Sequence, residues 1–179
     1  ESSIKDGSER NADSNAPAVT FSDVSLIYRE GGEPSLRNIT FTVNRGEKVG
    51  IIGGTGSGKT SIVNLIMRGY PVSSGSVSVL GHDVNAWNGN ALHSHIGLVP
   101  QKAVLFRGTV RDNIRNGKAD ASDEEISAAL KSAEAYDFIA AKDGFLDYEV
   151  EEGGKNFSGG QRQRLSIARA LVRRPDILI

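Results

Sequence analysis

Eight residues, Gly53-Gly54-Thr55-Gly56-Ser57-Gly58-Lys59-Thr60, constrain this chain more than any other stretch. They fit the pattern G-x-x-x-x-G-K-[ST]. They also stand between an apolar run, "EKVGIIGG", and a segment, "KTSIVNLIMRGY", with helical spacing through Ile62, Leu65 and Ile66. A buried strand that runs into glycines and then into a helix is the setting in which such a loop cradles phosphate. Gly53, Gly56 and Gly58 allow the tight backbone in which successive N–H groups point inward, and the positive end of the helix adds to their field. Lys59 is placed as a point charge for β- and γ-phosphates, and the Thr60 hydroxyl as a Mg²⁺ ligand. The loop thus predicts binding of a nucleoside triphosphate. Alone it leaves kinases, GTPases, helicases and other ATPases open.

The rest of the chain supplies the scaffold. "VTFSDVSLIY" and "ITFTV" read as two strands around the turn "REGGEP", and "SGSVSVLG" and "IGLVP" as two more. A polar stretch, "HDVNAWNGNALHSH", lies between the last two. From about Thr109 to Ala141 the pattern is helical, with Ser122 and Glu125 as a capping box. A last helix, "SGGQRQRLSIARALVRR", stops at Pro175 and leads to the apolar "ILI". Strands alternating with helices predict an α/β fold with a largely parallel core, and the β-rich first fifty residues an antiparallel flap. Residues 1–17 are polar and read as a linker or frayed terminus, with order beginning near Val19.

Composition narrows the function classes. A net charge of −1 gives no support to nucleic acid as a partner, and the absence of cysteine removes disulfides and thiolate metal sites. No stretch approaches the roughly 20 apolar residues of a membrane span. His82, His93 and His95 read as surface or loop histidines. The basic run Arg162, Arg164, Arg169, Arg173 and Arg174 surrounds an apolar stripe of Leu165, Ala168 and Val172, and so reads as a solvated helix face. Trp87 reads as a partly buried tryptophan or a partner contact.

A second glycine motif decides between the ATPase classes. In "NFSGGQRQRLSIARAL", Ser158-Gly159-Gly160 opens an evident helix, so backbone donors and a helix N-terminus again face an anion. One phosphate loop already holds one triphosphate, and the economical reading gives this second cradle to a nucleotide on another subunit. Here the chain closely resembles the ATP-binding cassette (ABC) family. "FSGGQ", Phe157 to Gln161, is similar to that family's LSGGQ signature with Phe157 in place of Leu, and "RQRLSIARALVRRPDILI" follows the family almost throughout. "VPQKAVLFRGTVRDNI" resembles the exporter branch, in which the cassette is fused to or paired with a helical membrane domain. "EVEEGGKNFSGGQ" resembles the loop that touches that domain, although Glu151 stands where many exporters carry glycine.

The resemblance implies a P-loop NTPase-type parallel core sheet with an antiparallel β flap and a helical subdomain at about 102–172, the cassette covering 18–179. Residues 1–17 become a connector from a preceding membrane domain. Tyr28 resembles the aromatic that stacks on adenine, and Gln101 the glutamine that reaches Mg²⁺ and the attacking water. Lys59 and Gln101 are then the catalytic candidates, Thr60 and Gln101 the metal ligands. Ser158, Gly159, Gly160 and Gln161 would close over ATP held by a second cassette, head to tail, in a homo- or heterodimer. The expected function is ATP hydrolysis that powers export, at the cytoplasmic face of a membrane. A nucleotide-binding module without turnover is the alternative. The terminal "ILI" resembles the Walker B strand, whose Mg²⁺-directing Asp and catalytic Glu would follow Ile179, and the chain reads as C-terminally incomplete.

Overall fold

The computed structural model describes residues 6–29 and 31–179, which form two compact units, Glu1–His93 and Ser94–Ile179. The first unit is built on an antiparallel sheet with strand order β2-β1-β3-β4: β1 (Val19–Leu26), β2 (Leu36–Val43), β3 (Ser74–Val79) and β4 (His82–Asp83). Phe21 lies opposite both Phe41 and Val77 in the ladders, and its ring stacks on that of Phe41 at 4.6 Å. Val19 and Phe21 are buried, and so are Val24 and Leu26, which strict alternation would turn outward. A bulge resets the phase. Asp23 and Asn38 take positive φ there, 50° and 47°, and the Asn38 side-chain amide donates to Asp23 Oδ1 at 2.7 Å.

Helix α1 (Lys59–Ile66) buries Ser61, Ile62, Leu65 and Ile66. Trp87 is fully buried, donating from Nε1 to Val79 O at 3.0 Å with its ring edge-to-face with that of His82. Helix α2 (Gly89–His95) carries the chain from one unit to the next.

Two expectations are corrected in this unit. Order begins well before Val19. Asp6 accepts hydrogen bonds from Arg68 (2.7 Å), the Asn88 side chain (2.9 Å) and Gly89 N (2.8 Å). Gly7 N and Glu9 N donate to Trp87 O and Ala86 O, both at 3.0 Å. Gly7 makes the approach possible, because a Cβ there would lie 2.0 Å from Ala86 O. The second correction concerns "EKVGIIGG", which has no regular structure or ladder partner among the described residues. Val49 and Ile51 are about half exposed and Ile52 is 98% exposed. An apolar run becomes a strand only where a neighbour takes its amides and carbonyls.

The second unit packs short helices on one core containing Ile114, Ile126, Leu130 and Leu165. The helical stretch after Thr109 resolves into α3 (Val110–Arg115), α4 (Asp123–Ser132) and α5 (Tyr136–Ala140). The expected Ser122–Glu125 box caps α4, and a Thr109–Asp112 box caps α3. Strands β6 (Gly108–Thr109) and β7 (Glu149–Val150) form an antiparallel pair ahead of α6 (Gly159–Leu171). Among the described residues the parallel strand pair is β5 (Ile96–Gly97) with β8 (Ile177–Leu178), extended by Val99 N donating to Ile179 O at 2.8 Å, beside an isolated parallel bridge between Glu9 and Trp87. The terminal "ILI" therefore does join a parallel ladder, beside the strand that leads to Gln101.

Candidate functional site

The phosphate loop is shaped by its glycines. Gly58 occupies the N-cap of α1 with φ 87°, and no side chain caps this helix. A Cβ at Gly58 would sit 2.6 Å from Leu36 Cδ2 and 2.8 Å from Ser35 O, so both conformation and space require glycine. Gly56 also has positive φ, 82°, and the turn closes through Ser57 N donating to Gly54 O at 3.3 Å. Lys59 folds back into the loop, its ammonium donating to Gly53 O (2.6 Å), Gly54 O (2.7 Å) and Ser57 Oγ (3.2 Å). Thr55 and Thr60 are exposed, Thr60 in the first turn of α1. That turn's amides lack intrahelical partners and lie at the positive end of the helix dipole. The arrangement is a cation inside a ring of backbone groups, open to solvent, and a phosphate offers that cation a charge-assisted partner.

Tyr28 lies two residues beyond β1, in the same unit as this loop. Its hydroxyl donates to Ser61 Oγ at 2.9 Å, and its ring meets that of Tyr70 edge-to-face at 4.7 Å and 86°. Neither partner is evident in the sequence, where the spacing of "KTSIVNLIMRGY" predicts a helix that runs on through Tyr70. Instead α1 stops at Ile66, Arg68 adopts φ 55°, and Gly69 N donates back to Asn64 O at 2.7 Å, which folds Tyr70 out of the helix line. The "RGY" triplet was the available signal, since a glycine just past a helix marks its end.

Gln101 and the signature segment belong to the second unit. Gln101 is exposed in the bend after Pro100. Ser158 caps α6, its Oγ accepting from Gln161 N (3.2 Å) while Gln161 Oε1 accepts from Ser158 N (2.9 Å). This is a capping box, S-x-x-Q, whose signal is local in the sequence. The side chains of Ser158 and Gln161 thus serve the helix start, and Gly159 and Gly160 remain exposed in its first turn. Phe157 is buried, with Phe138 and Tyr148 edge-to-face at 6.3 and 5.8 Å. The structure therefore groups Tyr28 with Gly53–Thr60 in one unit, and places Gln101 and Ser158–Gln161 in the other.

The basic run is not a plain solvated face. Arg169 donates to Asn113 O (3.0 Å), Asn113 Oδ1 (3.0 Å) and Val104 O (3.1 Å), and burial lowers its pKa from the usual arginine value. Arg162 donates to Phe157 O (2.5 Å) and Gly154 O (3.3 Å), Arg173 to Gly117 O, and Arg164 lies over the Phe138 ring. The guanidinium groups of Arg162, Arg169 and Arg173 thus satisfy backbone carbonyls that no strand ladder reaches. The histidines are engaged locally: His93 Nε2 with Met67 O at 3.1 Å and His95 Nδ1 with Asp176 Oδ2 at 2.7 Å. Among the described residues no group of three or more His, Cys, Asp or Glu could hold a metal ion.

Comparison with known proteins follows the same lines. The family model described as "ABC transporter" matches residues 36–179. An uncharacterized ABC transporter ATP-binding protein, y4gM, of Sinorhizobium fredii is 45% identical over 161 residues, covering 90% of this chain and 27% of that protein. The ATP-binding cassette sub-family B member 6 of Xenopus tropicalis is 39% identical over 173 residues, covering 92% of this chain and 20% of that protein. A solved bacterial Atm1-family ABC exporter with ATP bound superposes with a TM-score of 0.85 at 38% identity, over 99% of this chain and 31% of that one. The chain thus spans about a quarter of the length of these curated relatives.

Proposed function

This chain belongs to the ABC transporter family, and on that premise we propose that it is the nucleotide-binding part of an exporter, binding ATP with Mg²⁺ so that hydrolysis drives export through a transmembrane domain. The observation that carries the reading is the glycine loop closed around Lys59 at an uncapped helix N-terminus. Its donor set fits a triphosphate: an ammonium, first-turn amides and a hydroxyl at Thr60, with no carboxylate between Gly53 and Thr60. Mg²⁺, when bound, neutralises the charge that develops on the phosphates.

In this reading Gly53 through Gly58 hold the phosphates, Lys59 the γ-phosphate charge, Thr60 the metal and Tyr28 the adenine. Gln101 orients water and metal, and Gly159 and Gly160, capped by Ser158 with Gln161, receive the γ-phosphate of a second cassette. Residues 1–17 would connect to a membrane domain, 18–179 form the cassette, and the work would be done at the cytoplasmic face of a membrane. The described residues contain no helix long and apolar enough to cross one. The alternative reading is nucleotide binding without turnover.

The test is calorimetric titration of the chain with MgATP alongside phosphate release. Binding of MgATP that Lys59→Ala weakens is expected. Failure to bind millimolar MgATP would overturn the nucleotide reading; steady phosphate release abolished by Lys59→Ala would support turnover, and release at background from a chain that binds MgATP would support the alternative.

A further inference from the structure

Tyr28 poses a problem of order that its neighbours answer. It lies in a bend beyond the last ladder pair of β1, about two-fifths exposed, where a tyrosine left to itself samples several rotamers. Two contacts restrain it. The hydroxyl is tied to Ser61, which is 6% exposed and directly follows Thr60 in the first turn of α1. The ring is set against Tyr70, which the sharp exit from α1 brings back toward it. One restraint comes from the helix that carries the phosphate loop at its N-terminus, the other from the turn that leaves that helix. Meanwhile Ile27 N, donating to Ser73 Oγ at 2.9 Å, fixes the backbone before Tyr28.

We propose that Ser61 and Tyr70 are positioning residues that lock the Tyr28 ring at a fixed place relative to the phosphate loop and thereby set how much a stacked base adds to the affinity of the phosphate chain. The inference rests on the reading of Tyr28 as the base-stacking aromatic. A stacking ring contributes most when it is already held in the bound orientation, because no rotamer freedom is then lost on binding. An edge-to-face pair holds its members by an amount that corresponds to about a 2- to 10-fold change in an equilibrium.

The experiment titrates the full chain and its variants with MgATP, MgGTP and magnesium tripolyphosphate, the last probing the loop without a base. Tyr70→Ala is expected to weaken MgATP about 2- to 10-fold and to leave tripolyphosphate unchanged. Tyr70→Phe, which keeps the ring, should retain the parent affinity for both. Ser61→Ala should likewise narrow the ratio of ATP to tripolyphosphate affinity, and MgGTP, whose base also offers a face to the ring, should follow MgATP in both variants. Equal weakening of ATP and tripolyphosphate by Tyr70→Ala would overturn the proposal, since the effect would then be on the loop itself. An ATP affinity unmoved by both Tyr70→Ala and Ser61→Ala would overturn it as well. Failure of the underlying reading has its own signature: Tyr28→Ala would bind MgATP as the parent does, or the parent would bind tripolyphosphate as tightly as ATP, and the proposal would fall with it.

Discussion

The phosphate loop and the signature segment both set glycines at the start of a helix, and they are built in opposite ways. At α1 the N-cap is Gly58 in the left-handed region, no side chain caps the helix, and the loop supplies its own cation in Lys59. At α6 the N-cap is Ser158 with extended backbone, two reciprocal side-chain bonds close the first turn, and buried Phe157 with half-buried Arg162 holds the approach. An uncapped helix start with a cation is a strong anion site whose shape is held by few contacts. A capped start whose nearest cation, Arg162, is turned onto the carbonyls of Phe157 and Gly154 is a rigid surface that adds little affinity but presents two glycine amides at a fixed place. In the proposed division of labour, the first binds ATP and the second recognises that it is bound.

The largest way to break that contrast is Lys59→Ala. Losing one charge-assisted partner costs about 1.5–3 kcal/mol, so MgATP affinity should fall roughly 10- to 150-fold, while the melting temperature moves little because the loop is exposed. Calorimetry checks the first and thermal unfolding the second. Arg162→Ala should do the reverse. Its guanidinium donates to Phe157 O and Gly154 O, and removing it should cost about 2 kcal/mol in urea unfolding and leave MgATP affinity at the loop unaltered. A shared effect of both substitutions on binding would erase the distinction.

Ser158 sharpens it further, since capping and recognition can be separated there. Ser158→Ala should cost about 1 kcal/mol of stability. Ser158→Asp keeps an acceptor of equal capping quality and favours the helix dipole, so it should melt near the parent. It also places a negative charge where a second phosphate is proposed to sit, so nucleotide-driven association of two chains, followed by light scattering, should be lost. Association that survives Ser158→Asp would remove the signature from the proposed seam.

How much of this was legible follows the range of the interactions involved. Both glycine motifs, the Ser122–Glu125 cap and the antiparallel flap are local patterns, and spacing alone exposes them. The Ser158–Gln161 box is equally local, but S-x-x-Q coincides with the glycine signature, so the same residues carry a ligand pattern and a cap pattern at once. Asp6 could not be read, because its partners Arg68 and Gly89 lie 62 and 83 positions away. The same holds for Arg169, whose acceptors are 56 and 65 positions upstream. The expected strand at "EKVGIIGG" failed for a different reason: hydrophobic pattern reports what a segment could bury, not whether a neighbour exists to pair with it.

The smallest effect expected is a pH dependence that distinguishes the capping boxes. The α3 box uses Asp112, whose carboxyl is held below its ordinary value first by the backbone N–H of Thr109 and then by its hydroxyl. The α4 box uses Glu125, lowered first by Lys118 and then by the Ser122 backbone N–H. The α6 box uses Gln161, which carries no charge. A carboxyl lowered in the folded state binds protons more readily when unfolded, so its stabilisation is complete above the unfolded value near pH 4 and fades as pH falls through the folded one. Hydrogen-exchange protection factors measured between pH 6 and pH 3 should therefore decline at the starts of α3 and α4 while the start of α6 keeps its own. Asp112→Asn should flatten the decline at α3, because an amide still accepts from Thr109 N but no longer titrates. Gln161→Glu should confer a decline on α6. A start of α6 as acid-sensitive in the parent as the other two would show that its first turn is held by something other than the Ser158–Gln161 pair.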